Sequence, residues 1–310
     1  MNIVALAGGV GGAKLADGLA RLVPPENLTV VVNTGDDFEH LGLRICPDLD
    51  TICYTLAGLA NPNTGWGRSD ESWHAMQSLA ELGGPDWFRL GDRDLGTHLE
   101  RTRRLRHGER LSQITQDFCQ SWGLKLTILP ATDDLVPTWV YTEDGEMSFQ
   151  EYFVHQQCHP RVTGFRFEDA ERARPAPGVL EALRAADLVV ICPSNPWVSI
   201  DPILALPGIR PELAARLVLA VSPIIGGQTV KGPAAKMYSE LGIQPSAIAV
   251  ANHYTSLLNG FVLDQVDTEQ AGAIKSRIPH VLVTNTLMKT PQDRVRLAEE
   301  VLELGRSILS

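Results

Sequence analysis

The chain has 310 residues, 44% of them hydrophobic, which is enough for one large α/β domain or a core with a smaller lobe. Its formal charge of −10 argues against a broad nucleic-acid surface, but not against phosphates held locally by a few basic side chains or backbone amides. No run approaches the ~20 apolar residues that span a bilayer, and Cys46, Cys53, Cys119, Cys158 and Cys192 form no C-x-x-C pair, so reduced thiols in a cytoplasmic protein are expected.

Residues 2–7 are a short apolar run closed by Gly8, Gly9, Gly11 and Gly12. With no basic stretch before it, the run reads as a first strand and not as a signal peptide. A helical pattern follows, with Leu15, Leu19 and Leu22 on one face, and then a second buried run over 28–32. Strand, glycine turn, helix, strand is the opening of a parallel α/β sheet. Further strands are expected at 126–129, 188–192, 217–221, 248–250 and 280–283, with a closing helix over 293–309. Residues 60–125 have a mostly helical pattern. Residues 136–167 look antiparallel, with Asp144-Gly145 as a hairpin turn. The expectation is a Rossmann-like, doubly wound, mainly parallel sheet built from residues 1–60 and 175–310. Residues 61–174 would form an inserted helical and β-hairpin lobe.

Polar motifs stand at the ends of the predicted strands, where open parallel sheets bind ligands. Gly8 to Lys14 lets backbone amides and Lys14 meet an anion, or is simply a tight strand-to-helix turn. It lacks the small residue of a dinucleotide fingerprint at Lys14 and the Gly-Lys-Ser/Thr of a Walker loop. Asn33 to Asp37 offers either ligand contacts or turn chemistry. Asp48 and Asp50, if extended or turning, can both reach one Mg2+ ion or a hydroxyl; the alternative is that one caps the following helix. Asp92-Arg93-Asp94 reads as an internal salt-bridge cluster with Asp92 as an N-cap, or else Arg93 and His98 touch substrate. Ser194 and Asn195, fixed between Pro193 and Pro196, and the Gly226 to Lys231 loop, with Gly227, Thr229 and Lys231, are candidates for phosphates. Arg101, Arg103, Arg104 and Arg106 read as a solvated helical face. His155, Cys158 and His159 have no second ligand pair at zinc spacing, and no G-x-S-x-G elbow occurs.

In order, GGVGGAK, NTGDDFEHLGLRICPDLDT, GWGRSDESWHA, LGDRDLGTHL, PSNPWVSIDPIL and SPIIGGQTVKGPAAKM resemble the CofD family of 2-phospholactate transferases over almost the whole length. The resemblance implies a Rossmann-like core, a homodimer and an Mg2+ requirement. It implies transfer of an acid-bearing phosphoryl group from a guanosine diphosphate-linked donor to the ribityl hydroxyl of the deazaflavin Fo, with release of GMP. The product would be coenzyme F(420)-0, or its dehydro form where the acid is phosphoenolpyruvate. The segment from Gly65 to His74 looks more like the bacterial branch, which carries phosphoenolpyruvate, than the archaeal branch, which carries 2-phospholactate. Asp50 matches an Fo-binding aspartate. Arg89 stands where archaeal members have a lysine that also contacts Fo. On this reading Asp48 and Asp50 hold the metal, Asp50 orients or deprotonates the Fo hydroxyl, and Gly9, Gly11, Gly12 and Lys14 cradle the donor. Trp66, Trp73, Trp87 and Phe88 are candidates to stack on the deazaflavin. The rival readings are a non-enzymatic nucleotide-sugar-binding regulator of a related morphogenesis family (YvcK-like) and an NAD-dependent oxidoreductase. The second suffers from Lys14 in the fingerprint and from Asn33 where an acid should end the second strand.

Overall fold

The computed structural model describes residues 1–310. Its strands, in chain order, are β1 Ile3–Ala7, β2 Leu28–Val32, β3 Phe38–His40, β4 Leu43–Ile45, β5 Thr127–Pro130, β6 Thr138–Thr142, β7 Gly145–Ser148, β8 Val162–Phe167, β9 Leu188–Ile191, β10 Leu217–Val221, β11 Ile224–Ile225, β12 Gln228–Thr229, β13 Gly260–Asp264 and β14 His280–Thr284. The α-helices are α1 Gly9–Leu22, α2 Pro47–Leu56, α3 His74–Glu81, α4 Asp92–Arg106, α5 Leu111–Ser121, α6 Val179–Ala185, α7 Asp201–Leu204, α8 Ile209–Ala214, α9 Ala234–Glu240, α10 Ala247–His253, α11 Ala271–Lys275 and α12 Pro291–Leu309.

Seven strands form one parallel sheet in the order β14-β13-β10-β9-β1-β2-β5. Renumbered along the chain this is 7-6-5-4-1-2-3, the Rossmann order with one more strand at its edge. The central strands are apolar throughout because both faces are covered. Val4, Leu6, Val189 and Ile191 pack on one side with residues of α6, α8 and α10. Ile3, Ala5, Val190 and Leu219 pack on the other with α1, α2 and α12. The doubly wound expectation holds.

Two expectations are corrected. Residues 248–250 lie in α10, which starts where the Ser246 hydroxyl accepts from Ala249 N at 3.1 Å. A three-residue apolar run has no period by which helix and strand can be told apart. The strand of that region is β13, which begins at Gly260, where a Cβ would meet the Leu219 side chain at 2.5 Å. Nor are residues 61–174 a single insertion, because β5 lies inside that span and pairs with β2 in the main sheet. The chain makes two excursions instead: helices α3 and α4 before β5, and the antiparallel sheet β7-β6-β8 after it. In the latter, the Asp144-Gly145 turn closes β6 onto β7, with Thr142 opposite Gly145. The strand order reverses between β1 and β9, and the loops after β1, β2 and β9 meet at the crevice this creates.

Candidate active site

The turn after β1 is glycine-rich for packing as much as for ligand approach. A Cβ on Gly8 would lie 2.3 Å from Asp48 Oδ2, on Gly11 2.2 Å from Pro193 O, and on Gly12 2.6 Å from Ser194 Oγ. Gly9 has a φ of +61°, in the left-handed region. From the β9 loop, the Ser194 hydroxyl accepts from Gly8 N at 3.0 Å and donates to Gly8 O at 2.8 Å. Asn195 Oδ1 accepts from Trp197 N at 3.0 Å, and its Nδ2 sits 3.3 Å from Met237 Sδ. The hydroxyl and amide expected to meet donor phosphates therefore hold loops in place. The Gly9 N–H donates to Asp48 Oδ1 at 2.7 Å and is not free for an anion. The next amides of the first turn have no intrahelical acceptor.

Asp48 and Asp50 stand in the first turn of α2, behind Cys46 at the N-cap position, so neither acid caps the helix. Side chains two apart on a helix diverge by about 200°, and the two carboxylates have different partners. Asp48 faces the turn after β2. The Asn33 amide donates to Asp48 Oδ2 at 3.0 Å and to Asp36 Oδ1 at 3.1 Å, while Gln150 Nε2 donates to Asp36 Oδ2 at 3.1 Å. Both acids are buried. Burial pushes the Asp48 carboxyl up to about 6. Burial, with Asp48 and Asp37 alongside, holds Asp36 well above the usual carboxylate range. Each donor on the pair is neutral.

Asp50 faces α4 and meets the opposite surroundings. Arg101, 2% exposed, donates from Nη1 to Asp50 Oδ2 at 3.1 Å and from Nη2 to Oδ1. His98 is buried beside them, with Nδ1 3.7 Å from Asp50 and Nε2 3.4 Å from Asp94. Asp94 in turn accepts from the Tyr54 hydroxyl at 2.6 Å. Burial raises the Asp50 carboxyl against the pull of Arg101. In Asp94 burial also works upward, but the contacts from His98 and Tyr54 outweigh it and leave the group below its ordinary value. The arginine run is therefore not one solvated face: Arg103 and Arg106 are exposed, whereas Arg101 is buried. The signal was helical period, since Asp94, Thr97, His98 and Arg101 share one side of α4. Asp92 is in no salt-bridge cluster. It accepts from His74 N and Ala75 N at 3.0 Å, at the start of α3, while Glu71 accepts from Arg93 N and Asp94 N at the start of α4.

A cavity of about 700 Å3 joins these groups. Gly9, Gly11, Lys14, Asp48, Asp50, Arg89, Ser194, Asn195, Thr229 and Lys231 line it; Gly12 and Gly227 do not. Gly12 packs toward Ser194, and Gly227 sits in the β11–β12 turn with a φ of +75°. Lys14 Nζ donates to Met288 O at 2.8 Å, and burial, with Arg294 and Lys231 nearby, lowers its pKa. Lys231 donates to Thr64 O from the far side of the mouth. An apolar wall carries Phe88, Phe149 and Phe153, the last two stacked at 5.5 Å and 7°. Trp66 lines the mouth and is 52% exposed. Trp73 lies outside the lining with the Arg89 guanidinium 4.5 Å from its ring, and Trp87 packs on His40 and His155. Sequence reading misses Phe149, Gln150 and Phe153, whose segment carries no motif.

Donor chemistry separates two cation candidates. Asp50, Asp94 and His98 bring ligand atoms within 4.8 Å of one another and could hold a metal. Their imidazole suits a transition metal better than Mg2+, and Arg101 already balances Asp50. Asp36 and Asp48 offer oxygen alone and share the Asn33 amide, which fits a hard cation whose shell is completed by substrate phosphates.

A family model described as 2-phospho-L-lactate transferase CofD matches residues 3–300. A Streptomyces coelicolor protein named phosphoenolpyruvate transferase is 43% identical over 318 residues, covering 98% of this chain and 100% of that one. A phosphoenolpyruvate transferase of Streptomyces griseus subsp. griseus is 44% identical over 316 residues, covering 99% of each chain. Among solved structures, the crystal structure of a UPF0052-family protein from Bacillus halodurans matches with a TM-score of 0.62 at 14% identity, over 97% of this chain and 98% of that one. That likeness is one of fold.

Proposed function

The chain belongs to the CofD family and is a transferase of phosphate-containing groups, and from that premise we propose that it moves a phosphoenolpyruvyl group to the terminal ribityl hydroxyl of Fo. The donor is guanosine diphosphate-linked, GMP leaves, and dehydro coenzyme F(420)-0 is formed. The names carried by the 43–44% identical relatives favour phosphoenolpyruvate over 2-phospholactate. The observation that carries the reading is the cavity at the strand-order switch, which combines a cationic side, an apolar wall and two differently compensated aspartates.

Asp50 is held in one orientation by Arg101 and lines the cavity, so in this reading it orients the attacking hydroxyl as an acceptor. A carboxylate gripped on both oxygens by a guanidinium is a poor base, and its role is positioning more than proton removal. Lys14 and Lys231 neutralise donor phosphates. Arg89 borders the acceptor, and Phe88, Phe149, Phe153 and Trp66 offer faces for its flat ring. Asp36 and Asp48 would hold Mg2+, which when bound withdraws charge from the diphosphate. The family resemblance also implies a homodimer, which light scattering would test.

The direct experiment incubates the protein with Fo and Mg2+, supplies the phosphoenolpyruvyl and phospholactyl donors separately, and identifies products by mass spectrometry. An Fo phosphodiester plus GMP, formed faster from the phosphoenolpyruvyl donor, is the expected result. Faster reaction of the phospholactyl donor would reverse the donor assignment. No product and no Fo binding would favour the nucleotide-sugar-binding regulator.

A further inference from the structure

The antiparallel sheet β7-β6-β8 is remote in sequence from the acid pair, yet it reaches the pair at one side chain. Gln150, between β7 and the π-helical turn Glu151–His155, is 4% exposed and donates to Asp36 Oδ2 across 114 residues of sequence. Its neighbours Phe149 and Tyr152 are buried, which leaves the amide little freedom. One residue away, Thr138 N of β6 donates to Gly35 O at 2.5 Å, so the sheet holds the turn after β2 at two consecutive residues. Asp36 Oδ1 is fixed by Asn33, and Asn33 also fixes Asp48. Two neutral amides thus set the direction of two buried carboxylates without balancing their charge. That is how outer groups prepare acids for a cation, in contrast to the Arg101 clamp on Asp50.

Resting on the reading that Asp36 and Asp48 hold the divalent cation, we infer that Gln150 is a positioning residue. It aims the Asp36 carboxylate at the ion, and so makes cation affinity depend on docking of the β7-β6-β8 sheet.

The test is Mn2+ binding to the full-length protein without substrates, followed by electron paramagnetic resonance, in wild type, Gln150→Met, Gln150→Asn, Asp48→Asn and Asp36→Asn. Met keeps the length but cannot donate; Asn keeps the amide but ends one methylene short, and it serves if Met disturbs folding. Outer-shell changes of this kind typically weaken metal affinity by about 10- to 100-fold. Either Gln150 variant should therefore raise the Mn2+ Kd at least about tenfold, with kcat largely recovered at saturating metal, and the aspartate variants should lose binding. A folded Gln150→Met or Gln150→Asn protein with unchanged Kd, beside an Asp48→Asn protein that has lost binding, would overturn the role of Gln150 and leave the cation site standing. Undiminished Mn2+ binding in both aspartate variants, or no saturable binding in wild type, would overturn the site itself and Gln150 with it.

Discussion

Asp48 and Asp50 are two residues apart on one helix and line one cavity, yet their surroundings are opposite. Asp48 receives a glycine amide and an asparagine amide, and its charge is left open. Asp50 receives a buried guanidinium with an imidazole alongside, and its charge is closed. The fold thus gives one residue type two environments, and the proposed function uses them differently: the open carboxylate as a seat for a cation, the closed one as a fixed acceptor for a hydroxyl.

The comparison breaks most visibly at Asp50. Removing one partner of a buried ion pair typically costs about 3–5 kcal/mol, because the other charge is left unpaired. Asp50→Ala should therefore lower unfolding free energy in urea by that amount, and adding Arg101→Met should restore much of it. Asp50→Asn is the better probe of transfer alone; it should lose nearly all turnover while staying folded by circular dichroism. If Asp50→Ala unfolds like wild type, the clamp is not closed as described.

On the Asp48 side the expected effect is smaller and depends on pH. Burial raises Asp48 to about 6, with Asp36 raised beside it. Between pH ~4 and ~6 the folded protein therefore keeps protons that the unfolded chain has released, and without a divalent cation its stability falls as pH rises through that window, by on the order of 2 kcal/mol for Asp48. Mg2+ needs the ionised carboxylates. The melting temperature gained from Mg2+ should be slight at pH 5 and full above pH 7. An equal gain at both values would place the ion elsewhere.

Two lesser substitutions sharpen the contrast. Ser194→Ala leaves Gly8 N without its acceptor beside Asp48, which should cost about 1–3 kcal/mol in a denaturant melt. A wild-type melt would show that the turn is held without Ser194. Arg89→Lys keeps a cation over Trp73 and should raise the KM for Fo only a few-fold with kcat nearly unchanged. A collapse of kcat would mean that Arg89 acts on the reacting groups.

The sheet was largely legible because its strands are uniform apolar runs ended by glycine, asparagine or proline; β13, opened by Gly260, and the split around β5 were not. Site legibility followed sequence distance. Gly9 and Asn33 announce themselves at strand ends, and Asp48 and Asp50 by their motif at a helix start. What each carboxylate faces is decided by Arg101, 51 residues from Asp50, and by Gln150, 114 residues from Asp36. Of these, only Arg101 left a trace, in the period of α4. Ser194 and Asn195 line the cavity, but their side chains hold loops.

The bond between Gly8 and Ser194 spans 186 residues, and β1 lies inside the sheet between β2 and β9. During synthesis β2 is available almost at once, whereas β9 follows at ~5–20 residues per second, on the order of eight to thirty seconds later. For that interval β1, an interior strand of the finished sheet, is an open edge, able to pair with another nascent chain. That corner of the active site thus stays open until well over half of the chain has left the ribosome, and the residues of the β11–β12 turn that line the same cavity arrive later still.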